Sequence, residues 1–291
     1  MDIYLKFWGT RGSIPTPGDR TRKYGGNTSC VEIRFGEHLF ICDAGSGIRE
    51  LGADLLTRGT APVFGHLFFS HAHWDHIQGF PFFGPADVAG NRFRIYGAKE
   101  GDDRFFELLS GQMKSDYFPI GFGALRAEIL ADHLENGCRE IGGVMVQSFP
   151  LNHPGGCLGY SFSRRTKKIV YATDNEIEID SSVSEPDGEA KLRPAHPALV
   201  EFVRGADLLI ADGQYTDAEY QRKKGWGHTS CLTAVDLAIQ AGAKQLAIFH
   251  HDPSHADSFV DEIIESCRNR VHRLGAKLIV FAAREGVELE V

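Results

Sequence analysis

The stretch Leu67–Gly79 constrains this chain more than any other. The apolar run "LFFS" reads as the end of a strand, and "HAHWDH" follows at once, placing His71, His73, Asp75 and His76 within six positions. In extended chain successive side chains alternate, so His71 and His73, two apart, point the same way. Asp75 and His76 stand where a helix can begin and can face a second centre a few ångströms off. Either the rest of the chain supplies partners and the motif is half of a metal site, or it is a histidine-rich turn.

Candidate partners recur at other strand ends. His153 closes "VQSFPLNH", Asp174 closes "KIVYATD" and His250 closes "KQLAIFH". Four strand ends thus deliver imidazole or carboxylate, where ligand sites of layered α/β folds lie. Imidazole with carboxylate suits zinc, and also manganese or iron. If Asp174 bridges, one ion has His71, His73, His153 and Asp174, and the other has Asp75, His76, His250 and Asp174. A bridging hydroxide would complete both shells; ions ~3.5–4 Å apart generate such a nucleophile at neutral pH.

Strand-like runs open the chain ("IYLKFWG", "SCVEIRF", "HLFICDAG"), followed by a helical pattern in "GIRELGADLLTRG". Strands and helices then mix in both halves, and "KLIVFAAREGVELEV" closes as a strand or hairpin. This order predicts two sheets with helices on their outer faces, in one domain over residues 1–291. Residues Asp174–Pro194, acidic and turn-rich, read as a loop. With 42% apolar residues the chain can bury a substantial core, and 31 basic against 39 acidic residues leave no basic footprint for nucleic acid or anionic membrane. No apolar run approaches the ~18 residues of a membrane span. The opening "MDIYLKFWGTRG" lacks a signal-peptide core, so a cytoplasmic enzyme is expected. The six cysteines show no C-x-x-C pair, and Cys30 and Cys42 lie in apolar runs, so buried thiols are expected rather than disulfides or a cysteine-bound zinc.

The motif H-x-H-x-D-H, followed in order by His153, Asp174 and His250 and preceded by Asp43 in "ICDAGSG", resembles the metallo-β-lactamase fold superfamily. The stretches "GTRGSIP", "YGGNTSC" and "GHTS" resemble its ribonuclease Z and phosphodiesterase branch, and "HWDHIQGFPFF" a bacterial group of metallo-hydrolases within it. The resemblance implies a four-layer αββα sandwich of two mixed sheets and two divalent ions, with zinc expected and manganese or iron open. It places His71, His73 and His153 on the first ion, Asp75, His76 and His250 on the second, and Asp174 between them. Asp43 would orient a ligand from behind. The family pattern H-x-x-P selects His250, with Pro253, over His251. A histidine in the family's "GHS/T" motif pairs with an acidic residue, which here gives His228 and Asp212, an aspartate where the family has glutamate. In that dyad Asp212 favours the His228 imidazolium, which stabilises charge or donates a proton. Together with Asp75 they form the expected catalytic set.

The resemblance therefore implies hydrolysis of a small or nucleotide-like phosphodiester, cyclic nucleotides included. RNA 3′-processing is the alternative. That family's tRNA-gripping arm is an extended insertion between the third and fourth ligand motifs, whereas here only residues 154–173 intervene. Structured tRNA is disfavoured accordingly. A carboxylic ester, thioester or lactam could meet the same centre, and a binding module is disfavoured by the complete ligand set. Relatives suggest a homodimer. Among the remaining features, His228 could instead cap the helix starting at Thr229 or Ser230. His38 is expected at a hairpin, His133, His196 and His272 on the surface, and His251 and His255 on the surface or substrate rim. Asn27 could reach the site from its turn, and Gly79–Pro85 reads as core or dimer contact.

Overall fold

The computed structural model describes residues 3–59, 62–97, 104–134, 137–177 and 191–291. Period-two alternation in β1 (Ile3–Gly9) sends Ile3, Leu5 and Phe7 to one buried face. β2 (Cys30–Phe35) and β3 (His38–Cys42) form a hairpin around Gly36, whose φ of 64° suits the turn, with His38 at the first position of β3. β4 (Phe64–Phe68), β5 (Arg92–Tyr96) and β6 (Glu128–Ala131) continue outward from β3 in parallel. β7 (Cys138–Ile141), β8 (Val144–Leu151), β9 (Cys157–Arg164) and β10 (Lys167–Ala172) meander antiparallel. β11 (Leu208–Asp212), β12 (Gln245–Phe249) and β13 (Ile279–Ala282) then run parallel to β10, and β14 (Glu288–Glu290) ends the chain. The result is two seven-stranded sheets, ordered β14-β1-β2-β3-β4-β5-β6 and β13-β12-β11-β10-β9-β8-β7.

The sheets face one another across Leu5, Phe7, Phe40 and Phe68 from the first and Phe162, Tyr171, Ile210 and Phe249 from the second. Burying each such side chain is worth ~1.5–3 kcal/mol, so this layer fixes the relative placement of the sheets. Outside the first sheet, α1 (Ile48–Thr57) buries Ile48, Leu51 and Leu55, the spacing of one helical face. The one-turn α2 (Trp74–Ile77) and α3 (Arg104–Gly111) belong to the same side. Outside the second sheet, α4 (Pro197–Val203), α5 (Asp217–Arg222), α6 (Cys231–Gln240) and α7 (Asp257–Arg273) follow, and α4, α6 and α7 pack on its outer face. The architecture is the four-layer αββα sandwich.

Two expectations change. The closing segment is not a hairpin: β13 pairs with β12 in the second sheet, whereas β14 pairs with β1 in the first, Leu289 opposite Leu5. The turn at Gly286 carries the chain from one sheet to the other. Of the acidic loop, residues 178–190 lie outside the described residues, and its two ends have no regular structure. All six cysteines are free thiols and only Cys138 is exposed. Among the described residues no helix is long and apolar enough to cross a membrane.

β3, β4, β8, β10, β11 and β12 all end at the same edge of the sandwich. The residues just past those ends build the site.

Candidate metal centre

After β4 the chain stays extended through His73, which precedes α2 with φ −66° and ψ 150°. His71 and His73 therefore share a side, their rings 4.4 Å apart, and α2 turns Asp75 and His76 inward. His153, past β8, brings Nε2 to 3.0 Å from His73 Nδ1. Asp174, past β10, lies between two groups. Its Oδ2 is 3.6 Å from His71 Nε2 and 3.8 Å from His153 Nε2. Its Oδ1 is 3.2 Å from His76 Nε2 and 3.3 Å from His250 Nε2. Asp75 Oδ2 closes the second group, 3.3 Å from His76 Nε2 and 3.1 Å from His250 Nε2.

These atoms suit metal ions. Donors about 2.0–2.1 Å from a tetrahedral ion stand roughly 3.3 Å apart, in the middle of the spacings here. The opposite ring nitrogens are engaged: His76 Nδ1 with Asp43 Oδ2 at 2.7 Å, His250 Nδ1 with Gln214 Oε1 at 3.0 Å, and His153 Nδ1 with the Gly227 carbonyl at 2.8 Å. Each bond selects the tautomer whose Nε2 carries a lone pair. Two such nitrogens, on His76 and His250, face each other at 3.3 Å, and His71 Nε2 is buried without a hydrogen-bond partner. Lone pairs converging on a dry site call for a cation between them. Charge agrees. Burial pulls His71 well below its ordinary value, leaving it neutral and able to ligate. Burial opposes the charged form of His76 too, but Asp174, Asp75 and Asp43 outweigh it and raise its pKa well above normal, so the carboxylates that draw a proton to its Nε2 would equally draw a metal ion in the proton's place. Burial likewise opposes the Asp174 anion, yet His250, His76 and His71 hold it well below the usual carboxylate range.

Asp43 is the hub behind this centre. It accepts from the Ser70 amide, the Ser70 hydroxyl and the Tyr171 hydroxyl, each at 2.7 Å, besides His76. Backbone strain gathers here: Ser13, Asp43 and His250 have φ of 66°, 60° and 60°, a region non-glycine residues seldom enter. The strained Ser13 turn aims its amide at Asp75 Oδ2, 2.6 Å away.

Beside the cluster, His228 Nδ1 donates to Asp212 Oδ2 at 2.8 Å, and its ring stacks on His250 with centroids 4.9 Å apart. Burial lowers the His228 pKa, but the Asp212 carboxylate outweighs it and raises the value to about 9. Ser230, not His228, caps α6, its hydroxyl accepting from Thr233. Several sequence readings need correction. His251 is buried and donates Nε2–H to the Ala283 carbonyl at 2.9 Å, with its pKa pulled by burial to about 3. His255 is buried against Glu219 at 2.8 Å, so neither forms a rim. His133 is half-buried, while His196 and His272 are exposed. Asn27 turns to Glu285 and Ser46 instead of the site. In Gly79–Pro85, Phe80 and Phe83 are core, and Phe82 is exposed against Phe118. Sequence reasoning missed Ser70, Tyr171, Gln214 and Glu176. Of these, Gln214 and Glu176 carried a faint signal, standing two residues past Asp212 and Asp174 at strand ends.

The sequence profile of the β-lactamase superfamily domain matches residues 38–251, which hold every residue of this cluster. The chain belongs to the β-lactamase superfamily. This superfamily chain is similar to ribonuclease Z of Haloarcula marismortui, 25% identical over 92% of each chain. In fold it is similar to the metallo-β-lactamase fold protein YhfI of Bacillus subtilis, with a TM-score of 0.70 at 16% identity and all of both chains covered. It is also similar to the short form of human tRNase Z, with a TM-score of 0.61 at 18% identity and 98% of each chain covered. It is thus a metallo-β-lactamase-fold hydrolase of the ribonuclease Z-like branch.

Proposed function

We propose that this protein is a dinuclear metal-dependent phosphodiesterase of one domain, acting on a small or nucleotide-like diester. The observation that carries the reading is the split of Asp174, one oxygen toward His71 and His153 and the other toward His76 and His250. His71, His73, His153 and Asp174 would hold one ion, and Asp75, His76, His250 and Asp174 the other, with zinc the best fit to the donors. Bound there, two divalent ions supply Lewis-acid charge and a nucleophilic water at neutral pH. The chain's own residues do the rest. Asp43, through His76 and Ser70, fixes ligand orientation. Asp212 keeps His228 protonated, and His228 offsets charge on the leaving oxygen and hands it a proton. A fixed imidazolium beside two cations suits the extra negative charge of phosphoryl transfer, and this favours phosphorus over a carboxylic ester, thioester or lactam.

RNA 3′-processing is the second reading, supported by relatives named ribonuclease Z. Against it, β9 and β10 are joined by Arg165 and Thr166 alone, so no arm rises between His153 and Asp174. Protein of measured zinc or manganese content should turn over bis(p-nitrophenyl) phosphate and leave nitrocefin and thioesters intact. Lactam or thioester hydrolysis without phosphodiester turnover would overturn the proposal.

A further inference from the structure

The loop between α5 and His228 has features that packing does not explain. Trp226 is 62% exposed, forgoing the burial an indole normally gains. Yet the backbone beneath it is tightly held. The buried Glu176 carboxylate accepts from the Gly225 amide at 2.9 and 3.0 Å, from the Gly227 amide at 2.9 Å and from Tyr220 Oη at 3.1 Å. Gly225 and Gly227 have φ of 83° and 87°, and a Cβ on Gly227 would come within 2.2 Å of His153 Nδ1. The loop is thus drawn tight between Glu176 and His153, with the indole left in water at its crest.

Beside it opens a cavity of about 480 Å³, walled by His153, Pro154, Glu176, Tyr220, Lys224 and Gly225. His153 is common to this cavity and the metal cluster, so the two adjoin across its ring. Arg222, Lys223 and Lys224 form a local basic run in a chain of net charge −8. Lys223 is committed, 3.0 Å from Asp252 Oδ2 and over the Tyr215 ring. Lys224, exposed, lies over the Tyr220 ring at 5.8 Å, has no ion pair among the described residues and lines the cavity. A flat aromatic face following Gly225 of the cavity wall, and a cation without an ion pair in that wall, are what a base-bearing anion needs.

We propose that Trp226 and Lys224 form a nucleotide-binding platform: the indole stacks on a base and Lys224 takes a phosphate other than the one under attack. This rests on the phosphodiesterase reading and narrows its substrate class to nucleotides carrying a second phosphate. Calorimetry on the metal-loaded protein tests it without turnover, using thymidine 5′-monophosphate and thymidine 3′,5′-bisphosphate as probes. Trp226→Ala should weaken both about ten-fold, and Trp226→Phe should restore most of the loss. Wild-type protein should prefer the bisphosphate roughly five- to ten-fold, a preference that Lys224→Ala erases. Unchanged affinity in Trp226→Ala, or an intact bisphosphate preference in Lys224→Ala, would overturn the platform. Absence of p-nitrophenyl thymidine 5′-phosphate hydrolysis by the two-metal protein would instead sink the phosphodiesterase reading, whatever the binding shows.

Discussion

On one side of Asp174, Asp75, His76 and His250 lie buried, held by groups that belong to the framework. His76 donates to a carboxylate, itself fixed by Ser70 and Tyr171 between the sheets, and His250 leans on Gln214 beyond β11. On the other side His73 is exposed, and His153 depends on the carbonyl of Gly227, part of a loop pinned through Glu176 and Lys223. A charge-assisted bond to a buried carboxylate is stronger and less easily lost than one to a loop carbonyl. The proposed second ion is therefore built into the sandwich, and the first faces solvent and substrate on a support that can be loosened separately.

The largest effect should come where the halves meet. Asp174→Ala removes an oxygen from each group, so turnover should fall more than about 10³-fold with both ions lost, read by elemental analysis. Two ions retained would show that the halves do not share this carboxylate. Next, Asp212→Asn should reduce kcat by about 10²-fold with metal content intact, since general-acid contributions are of that order. Loss of metal in that variant would make His228 a ligand. Smaller and more diagnostic is a matched pair. Asp43→Asn should weaken one ion, the buried one, by about 10–100-fold in chelator competition. Glu176→Gln, isosteric but presenting an NH₂ to an amide it should accept from, should weaken the other ion by about ten-fold or less. Equal losses of the same ion in both variants would erase the distinction between framework and loop.

The same division separates what could be read from the sequence. His71, His73, Asp75 and His76 are legible because strand and helix-start geometry fix their directions from spacing alone. His153, Asp174 and His250 are legible as strand-end residues in a superfamily order. Asp43 stands out by its turn, but its partners Ser70 and Tyr171 come from just past β4 and from β10, and nothing local to either announces the contact. Glu176 is harder still: its partners lie more than forty residues away, and two of the three, Gly225 and Gly227, offer only backbone amides, which carry no residue identity. Among the elements, β6 and β7 are four residues each, too short for a period to register. The fate of β14 was illegible because "AREGVELEV" suits a hairpin as well as a crossing to β1.

The buried half also has a cost, in Glu285. Its carboxylate accepts from the Asn27 amide at 2.5 Å and Asn27 Nδ2 at 3.1 Å, in the turn whose Asn27 carbonyl holds Thr10 and Arg11 ahead of Ser13. Burial raises its pKa to about 7, against the lowering effect of Asn27 and Arg11, from an ordinary 4.5. The folded protein therefore holds more protons than the unfolded chain between those values, and stability falls as pH rises across them. Below about 4.5 both states are protonated and no penalty exists; above about 7 both are ionised and it is complete. Glu285→Gln loses one acceptor at every pH, so the offset is uninformative and the slope is the test. Between pH 5 and 8 its Tm relative to wild type should climb by roughly 4–8 °C, equivalent to about 2–3 kcal/mol, because about two pH units of the titration fall inside that window. A flat difference would mean that Glu285 ionises without penalty, and that the support of the buried half carries no hidden charge.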